Sequence, residues 1–273
     1  MASRPPRVLS IAGSDSGGGA GIQADLKAFA AAGVHGMTAI TAITAQNTVE
    51  VRDVHPIPPA TILAQVAAVV DDIGVDAVKI GMLGGAETIA AVSKALDLVG
   101  DVPIVLDPVM VAESGAVLLD EDARGALVEL ILPRATVVTP NLPEARVLAG
   151  KAHAGGDQDQ LARAVHALGP AAVVVTGGHS ESGADVFYDG ERLERIHAER
   201  HPDGAAHGSG CTHASTLAAH LALGEDPFEA ARAACDAASR AVRDGLRGIG
   251  AGAGPVDVLG IEARDPAGAA KSV

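Results

Sequence analysis

Short apolar runs alternate with longer alanine-rich segments along most of this 273-residue chain. The apolar runs lie at 7–12, 37–43, 76–80, 103–106, 135–139 and 171–176. Segments of helical character lie between most of them, at 20–32, 60–72, 86–99, 121–131 and 157–168. Runs rich in β-branched residues without polar alternation are typical of strands buried on both faces. The order therefore predicts an α/β protein in which helices cover a mainly parallel sheet.

The last third of the chain departs from this alternation. The segment DVFYDGERLERIH predicts a short hairpin around Asp189 and Gly190, and two final helices are predicted at 211–223 and 227–245. Residues 246–273 are rich in glycine and alanine and contain few large apolar residues, which predicts mostly loop or disorder. Length alone leaves open one large domain or two small ones.

Charge and composition exclude several classes of function. Lys and Arg number 20 against 34 Asp and Glu, so the net charge is −14, which argues against a nucleic-acid-binding surface. We find no secretion signal and no run of 18 apolar residues, and two cysteines, Cys211 and Cys235, make no disulfide framework. We therefore expect a cytoplasmic enzyme. With no Trp, one Tyr and three Phe, a ring-shaped ligand would lie mainly against aliphatic side chains and backbone.

A glycine-rich loop follows the first predicted strand, in the stretch RVLSIAGSDSGGGAGIQAD at 7–25. It matches neither common nucleotide-binding pattern. A Walker loop ends in Gly-Lys-Ser/Thr, and the dinucleotide fingerprint needs glycines at the first, third and sixth positions of a hexapeptide. The loop is therefore either a tight strand-to-helix turn or a backbone floor for another ligand.

Polar and glycine-rich segments follow the predicted strands, where open parallel sheets bind their ligands. These segments are GSDSGGG, TAQN, KIGM, DPVM, TPNLPEA and TGGH. They place two acids, Asp107 and Glu144, at neighbouring strand ends. Each acid has a structural alternative, because Asp before Pro often starts a turn and Glu is favoured in the first turn of a helix.

A second glycine turn precedes a long helical pattern in AAHGSGCTHASTLAAHLALG, residues 205–224. Free N–H groups at such a helix start, together with the positive end of the helix dipole, form an anion site without any lysine. The alternative is a plain turn with Cys211 as a small buried apolar residue.

Six motifs in this order closely resemble the hydroxymethylpyrimidine/phosphomethylpyrimidine kinases of thiamine biosynthesis. They are AGSDSGGGAGIQADLK, TAITAQNT, VKIGM, DPVMVA, TPNLPEA and HGSGCT, and the resemblance extends to the piece at 252–256. It implies a single ribokinase-like domain at 1–256, with three α/β/α layers, and a poorly ordered tail at 257–273. It also implies a homodimer that transfers the γ-phosphoryl group of MgATP to a hydroxymethyl group.

The resemblance also implies roles for individual residues. Asp25 and Gln46 would hydrogen-bond the aminopyrimidine, because a carboxylate and an amide can together read its amine and ring nitrogens. The remaining ring contacts would be Gly13, Met82 and Val109. Asp107 and Glu144 would lie near Mg²⁺ and the phosphates, since Mg²⁺ takes hard oxygen ligands.

The nucleotide and the phosphoryl group in flight would be held by the later motifs. The residues along the nucleotide phosphates would be Asn141, Thr176, Gly177 and Gly178. The catalytic anion hole would be formed by Gly208, Ser209, Gly210 and Cys211. At a helix N-terminus the pKa of the Cys211 thiol can be lowered, which would favour a base for the substrate hydroxyl, although bound phosphates would oppose this.

The chain departs from the family pattern in three places. Thr176 stands where many members have a lysine that offsets phosphate charge, and Ser209 stands where threonine is usual. The stretch ERHPDGAA before His207 is unlike the usual flexible flap.

Two alternative functions stay open at this point. A pyridoxal kinase shares the fold and some motifs, although Gln46 and Met82 favour the pyrimidine. Sugar and nucleoside kinases are disfavoured, because they usually carry aspartate where Cys211 stands. A pyrimidine-sensing protein that has lost phosphoryl transfer is the alternative outside the enzymes, motivated by Thr176 alone.

Overall fold

A computed structural model describes residues 4–112, 115–119, 121–153, 155–178 and 183–261, and shows three α/β/α layers. Eight strands form one sheet in the order β10-β9-β8-β7-β6-β5-β1-β2, and all neighbours are parallel except that β9 is antiparallel to both β8 and β10. The strands in chain order are β1 (Arg7–Ala12), β2 (His35–Ile40), β3 (Ala42–Gln46), β4 (Val51–Pro56), β5 (Ala77–Ile80), β6 (Ile104–Leu106), β7 (Val137–Val138), β8 (Ala172–Val175), β9 (Asp185–Tyr188) and β10 (Leu193–Ile196). The predicted fold class is confirmed.

Helices cover both faces of the sheet. They are α1 (Gly21–Ala31), α2 (Pro59–Asp72), α3 (Ala86–Val99), α4 (Glu121–Leu130), α5 (Leu142–Ala149), α6 (Gln158–His166), α7 (Ser209–Ala222) and α8 (Pro227–Arg243). Helices α2 to α6 pack into one apolar core, whereas α1, α7 and α8 pack into a second core on the opposite face. None of the helices in the described part of the chain has both the length and the apolar character that a membrane span requires.

The buried strands contribute alternate side chains to the two cores. In β1, Leu9 and Ile11 belong to the first core and Val8 to the second. In β6, Leu106 belongs to the first core and Val105 to the second. Because side chains alternate across a strand, a strand covered on both faces reads as a continuous apolar run, which is why the sequence locates these strands so closely.

The strand order reverses direction at the centre of the sheet. From β1 the chain moves to β2 on one side, and β5, which pairs with β1 on the other side, leads on to β6 and β7. A reversal of this kind opens a crevice at the carboxyl ends of the two central strands, where open α/β sheets bind ligands. The loop after β1 and the segment after β5 therefore face the same crevice.

The structure corrects the prediction of one strand at 37–43. The strand of the main sheet ends at Ile40. Residues Ala42–Gln46 pair instead with Val51–Pro56 in a separate antiparallel sheet of two strands. The sequence analysis missed this second strand because most of it is exposed and polar, so it lacks an apolar run. The hairpin around Asp189 and Gly190 and the two final helices are confirmed within a few residues.

The chain after α8 consists of turns and loops as far as residue 261. Val256 donates its N–H to the carbonyl oxygen of His207, and Asp257, which is buried, donates to Ala241. The start of the predicted tail is therefore packed against the glycine turn before α7. Residues 262–273 of that tail lie outside the described residues.

An ion pair fixes the start of β1 to the residue before β5. Arg7 donates Nε and Nη2 to the two carboxylate oxygens of Asp76, at 2.8 and 2.6 Å, and its backbone N–H adds a third bond of 2.8 Å. These bonds to Arg7 hold the pKa of the Asp76 carboxyl below its usual range, against the opposing effect of burial.

We expect Asp76→Asn to lower the free energy of unfolding by about 1–2 kcal/mol at pH 7, because charge-assisted hydrogen bonds are lost at a partly exposed site. The folded pKa of Asp76 lies below its unfolded value, so its stabilisation is present above the unfolded pKa and is lost as the pH falls through the folded pKa. Urea unfolding of Asp76→Asn and parent should therefore differ at pH 7 and converge in acid. Asp72→Asn is the matched control, and an equal loss in both variants would contradict the assignment.

Candidate active site

A cavity of about 630 Å³ runs along the carboxyl edge of the sheet. Its walls come from the segments that follow β1, β5, β6, β7 and β8, together with residues 198–206 and the first turn of α7. All the strand ends singled out in the sequence therefore meet in one place. Of the predicted site residues, those that line the cavity are Gly13, Gln46, Met82, Asp107, Val109, Asn141, Glu144, Thr176, Gly178, Gly208, Ser209, Gly210 and Cys211.

The first glycine loop is organised by Asp15, which the sequence analysis did not select. The Asp15 carboxylate accepts N–H groups from Gly17 at 2.8 Å, Gly19 at 3.0 Å and Ala20 at 2.8 Å. The N–H of Gly18 is bound by the Asp15 carbonyl oxygen. The donors that could have held a phosphate are thus already bound within the loop. This loop is a turn that forms part of the cavity wall, and it is no phosphate cradle.

The second glycine turn has the opposite property. Gly208, with φ +84°, precedes α7, and the N–H of Ser209 is bound by the carbonyl oxygen of Ala206. The first helical bond runs from Thr212 to Gly208. The N–H groups of Gly210 and Cys211 therefore have no partner within the helix and lie at the positive end of its dipole. This end of the cavity has the geometry of an anion site.

A buried contact joins the two glycine loops. His207 Nε2 lies 2.9 Å from Asp15 Oδ2, and both side chains are buried. A side chain at Gly208 would collide with the carbonyl oxygen of Gly19, so the two loops are in direct backbone contact. Although burial alone would raise it, the pKa of Asp15 is held below its usual range by the bonds from His207 and the loop N–H groups. The sequence signal that could have found this pair is a polar residue inside each glycine motif.

The residues predicted to contact a ring lie at the end of the cavity next to the reversal of the sheet. A side chain at Gly13 would meet the methyl group of Met82, so the glycine leaves space for that methionine. Gln46 ends β3, and its backbone both donates to and accepts from the Ser16 hydroxyl. Val109 also faces this end of the cavity. An amide beside aliphatic surface suits a small polar ring.

Asp25 does not line this end of the cavity. Its side chain is fully buried, and its oxygens accept hydrogen bonds from Ser10 at 2.5 Å and Ser215 at 2.7 Å. Lys79, also fully buried, lies 2.9 Å from Asp25 and 3.7 Å from Asp107. The structure thus differs from the predicted contact between Asp25 and the ring, because both of its oxygens are already bound below the cavity floor.

Lys79, which the sequence analysis passed over within VKIGM, is the buried cation beneath the site. Burial by itself lowers the pKa of Lys79, but the carboxylates of Asp25 and Asp107 raise it above its usual value. The side chain therefore stays charged. Its charge is largely neutralised by these two partners.

Asp107 and Glu144 lie close together at the ends of β6 and β7. Burial raises the pKa of Asp107 despite Lys79, and Asp107 Oδ2 is buried without a hydrogen-bond partner among the described residues. Burial, and then the charge of Asp107, raise the pKa of Glu144 to about 8. Glu144 also accepts the N–H of Asn141 at 3.0 Å in a capping box at the start of α5. Glu144 therefore stabilises the first turn of α5, as the structural alternative predicts, and also lines the cavity.

The predicted nucleotide residues surround the ends of β7 and β8. Asn141 caps α5 by accepting the N–H of Glu144, and it forms an isolated parallel bridge with Thr176. Gly177 donates its N–H to Asp185 Oδ1 at 2.7 Å, and a side chain there would collide with the backbone of Ala184. Gly178 lies on the cavity wall. The structure thus brings together the residues at 141 and 176–178.

Cys211 has a chemistry different from the one expected of a helix N-terminus. Burial is the largest effect and raises the pKa of its thiol to about 12, and the carboxylates of Asp107 and Asp25 act in the same direction. Lys79 and the N–H of Gly21 oppose this shift without reversing it. The expectation of a lowered pKa is wrong, because it counted the helix and left out burial. At neutral pH Cys211 is a thiol.

A mainly parallel sheet with a cavity at its carboxyl edge, walled by a helix N-terminus and two carboxyls, is the architecture of ribokinase-like small-molecule kinases. The phosphomethylpyrimidine kinase family model matches residues 15–257. A hydroxymethylpyrimidine/phosphomethylpyrimidine kinase of Rhizobium meliloti is 50% identical over 254 residues, which cover 91% of this chain and 95% of that protein. The chain belongs to the phosphomethylpyrimidine kinase family.

Solved structures agree with this assignment. A pyridoxal kinase from Staphylococcus aureus in complex with AMP-PCP and pyridoxal is 34% identical, with a TM-score of 0.84 over 96% of each chain. A phosphomethylpyrimidine kinase from Clostridium difficile is 38% identical, with a TM-score of 0.73 over 84% of this chain and 96% of that one. The ribokinase-like fold expected from the motifs is confirmed.

We expect Cys211→Ala to lower kcat by about 10- to 100-fold, the range for a lost hydrogen-bond donor beside a charged group, with little change in ATP affinity. The thiol stands at the N-terminus of α7, close enough to Asp107 for the two groups to affect each other's pKa, so its loss alters this end of the cavity. Steady-state kinetics with saturating ATP measure the effect, and Cys211→Ser, which keeps a hydrogen-bond donor, should lose less. Full turnover by Cys211→Ala would mean that the backbone N–H groups suffice.

Proposed function

We propose that this protein is an ATP-dependent kinase that phosphorylates 4-amino-5-hydroxymethyl-2-methylpyrimidine and then its monophosphate, in thiamine biosynthesis or salvage. The observation that carries the proposal is the continuity of one cavity from Gln46 and Met82 to the first turn of α7. The similarity to hydroxymethylpyrimidine/phosphomethylpyrimidine kinases over nine-tenths of the chain supports the choice of substrate.

The order of groups along the cavity gives each of them a task. Gln46 binds the polar edge of the ring, and Gly13, Met82 and Val109 bound its faces. The hydroxymethyl group then points toward Cys211. The N–H groups of Gly210 and Cys211 bind the phosphoryl oxygens during transfer, which is the electrostatic role that dominates a loose phosphoryl-transfer transition state. Asn141 and the turn at 176–178 lie along the nucleotide phosphates.

Asp107 and Glu144 fit a Mg²⁺ ion that arrives with the nucleotide. The two adjacent carboxyls have raised pKa values although Lys79 lies 3.7 Å from Asp107, and one Asp107 oxygen has no hydrogen-bond partner among the described residues, so a further cation would be favourable here. Mg²⁺ favours one or two carboxylates together with phosphates and water, which matches a pair better than a closed cage of protein ligands. When bound, the ion would offset charge on the transferred phosphoryl group. Asp107 and Glu144 would hold it, and Lys79, 3.7 Å from Asp107, would keep that carboxylate oriented.

We further propose a homodimer. The small sheet and the turn between its strands carry exposed apolar side chains, Ile43, Val49 and Val54, which a second copy would cover. Light scattering coupled to size-exclusion chromatography tests this part, and a monomer at micromolar concentration would exclude it. The cytoplasmic location stays a prediction.

Pyridoxal is the competing substrate, because solved pyridoxal kinases share this fold and one binds pyridoxal with AMP-PCP. Pure protein should be incubated with MgATP and either hydroxymethylpyrimidine, its monophosphate or pyridoxal. Mass spectrometry then counts the phosphates added. One and two additions to the pyrimidine support the proposal, whereas transfer to pyridoxal alone would replace it and no transfer to any of them would refute it.

We expect Gln46→Leu to raise KM for the pyrimidine about 5- to 150-fold, because the buried polar edge of the ring then costs about 1–3 kcal/mol. The KM for ATP should not change. Gln46→Glu is the matched variant, since it keeps the size and one acceptor oxygen while losing the amide donor. Unchanged pyrimidine kinetics in Gln46→Leu would remove Gln46 from the ring site.

We expect Asp107→Asn to require more Mg²⁺ for half-maximal activity and to lower kcat, because a neutral amide is a weak ligand for a hard cation. Titration of MgCl₂ at fixed ATP measures both effects, and a melting curve controls for folding. Asp101→Asn, an exposed acid in the turn before β6, serves as the control. A normal Mg²⁺ titration in Asp107→Asn would show that Asp107 only balances the charge of Lys79.

A further inference from the structure

The segment that connects β10 to the second glycine turn forms one wall of the cavity and is fixed to α8. Ser239 of α8 donates its hydroxyl to the carbonyl oxygen of Glu199 at 2.7 Å. A side chain at Gly204 would collide with the backbone of Val242, so the segment also lies directly on the helix at this point. Arg200, the residue after Glu199, therefore faces the cavity from an anchored backbone.

The side chain of Arg200 lies across Gly183, two residues before β9. A side chain at Gly183 would collide with Cγ and Cδ of this arginine, and both residues line the cavity. The next residue, Ala184, contacts Gly177 through its backbone. The position of the arginine stem therefore brings its guanidinium group within reach of the turn at 176–178, where the nucleotide phosphates are expected.

Four other basic side chains line the described part of the cavity, and each has an acid of the protein beside it. The pairs are Lys79 with Asp25 and Asp107, His207 with Asp15, the buried His213 of α7 with Asp185, and His201 with Asp244. The last pair is seen in the pKa of Asp244, which is lowered most by its bond from Arg243 and also by His201. Thr176 brings no charge. Among the described lining residues, Arg200 is therefore the basic side chain best placed to reach a phosphate at 176–178.

We propose that Arg200 is a nucleotide-binding residue whose guanidinium group donates to a phosphate oxygen and supplies there the positive charge that Thr176 lacks. A guanidinium group has five N–H donors and stays charged, so it can bind a phosphate and keep another partner in the protein. The inference rests on the proposed function only in taking an adenine nucleotide as the ligand. It gives the anchored segment a task that a lysine at 176 performs in many family members.

Binding of ADP, measured by isothermal titration calorimetry without pyrimidine, tests the proposal. We expect Arg200→Met, which keeps an unbranched stem against Gly183 and removes the charge, to weaken ADP binding about 5- to 50-fold, as for a charge-assisted hydrogen bond at a partly exposed site. Arg200→Lys, which keeps the charge without the paired donors, should fall between parent and Arg200→Met. Arg195→Met is the matched control, because Arg195 is exposed on β10 and paired with Asp159, and it should bind ADP as the parent does.

Salt separates a charge on the ligand from support of the cavity wall. The difference in ADP affinity between parent and Arg200→Met should shrink at least twofold as NaCl rises from about 0.05 to about 0.5 M, because salt screens an exposed charge. Melting curves verify that the variants fold. Parent-like ADP binding by Arg200→Met, an equal loss in Arg200→Lys, or a difference that salt does not change would each overturn the proposal and make Arg200 a part of the wall alone.

A double-mutant cycle with Thr176→Lys tests whether the two positions do the same work. Thr176→Lys should recover at least threefold of the lost ADP affinity in Arg200→Met and give a smaller gain in the parent. Equal gains in both backgrounds would show that the two cations act independently, which contradicts the proposal.

These outcomes are independent of the substrate assay. A protein that binds ADP as described but phosphorylates no pyrimidine would refute the proposed function and leave the assignment of Arg200 intact. A protein that phosphorylates the pyrimidine while Arg200→Met binds ADP normally would do the reverse.

Discussion

The buried ammonium group of Lys79 is the interaction on which the site depends. It stands on the central strand β5 and joins Asp25 of α1 to Asp107 at the end of β6, and Asp25 is held in turn by Ser10 of β1 and Ser215 of α7. A buried ion pair of this kind adds little net stability, but removing one partner costs roughly 3–5 kcal/mol, because the other charge is left uncompensated. The network therefore holds α1 and α7 in one position relative to the sheet. That position decides where the first turn of α7 faces the cavity.

The two glycine-rich motifs have different tasks because their N–H groups have different partners. In the first loop the Asp15 carboxylate takes three N–H groups, so glycine serves the tight path of the chain. In the second, Gly208 allows α7 to begin against the first loop and leaves the N–H groups of the next turn directed at the cavity. His207, 2.9 Å from Asp15, joins the two loops and so fixes the cavity walls that they form relative to each other. Glycine content alone does not distinguish the two loops. They differ in whether their backbone N–H groups already have hydrogen-bond acceptors within the protein.

Much of the fold could be predicted from the sequence because strands covered on both faces are continuous apolar runs, and because polar residues at strand ends must share one edge of a parallel sheet. The strand Val51–Pro56 could not, since it is mostly exposed and polar. Lys79 and His213 were missed for a different reason. A polar residue inside an apolar run gives no local sign of the neighbours, distant in sequence, among which it is buried. The error over the thiol of Cys211 has the same origin, because its pKa is set by burial and by Asp107 and Asp25 more than by its own helix.

Charge along the cavity explains how a protein with a net charge of −14 can bind a polyanion. The long-range field of such a protein opposes the approach of a nucleotide, so affinity must come from contacts made within a few ångströms. The free N–H groups in the first turn of α7 offer such contacts, whereas negative charge on Asp107 opposes a phosphate nearby. The ring end, formed by neutral groups such as Gln46 and Met82, does not share this conflict. On the proposed function, a metal ion that arrives with the nucleotide would relieve this conflict, while the pyrimidine would depend on shape and neutral hydrogen bonds.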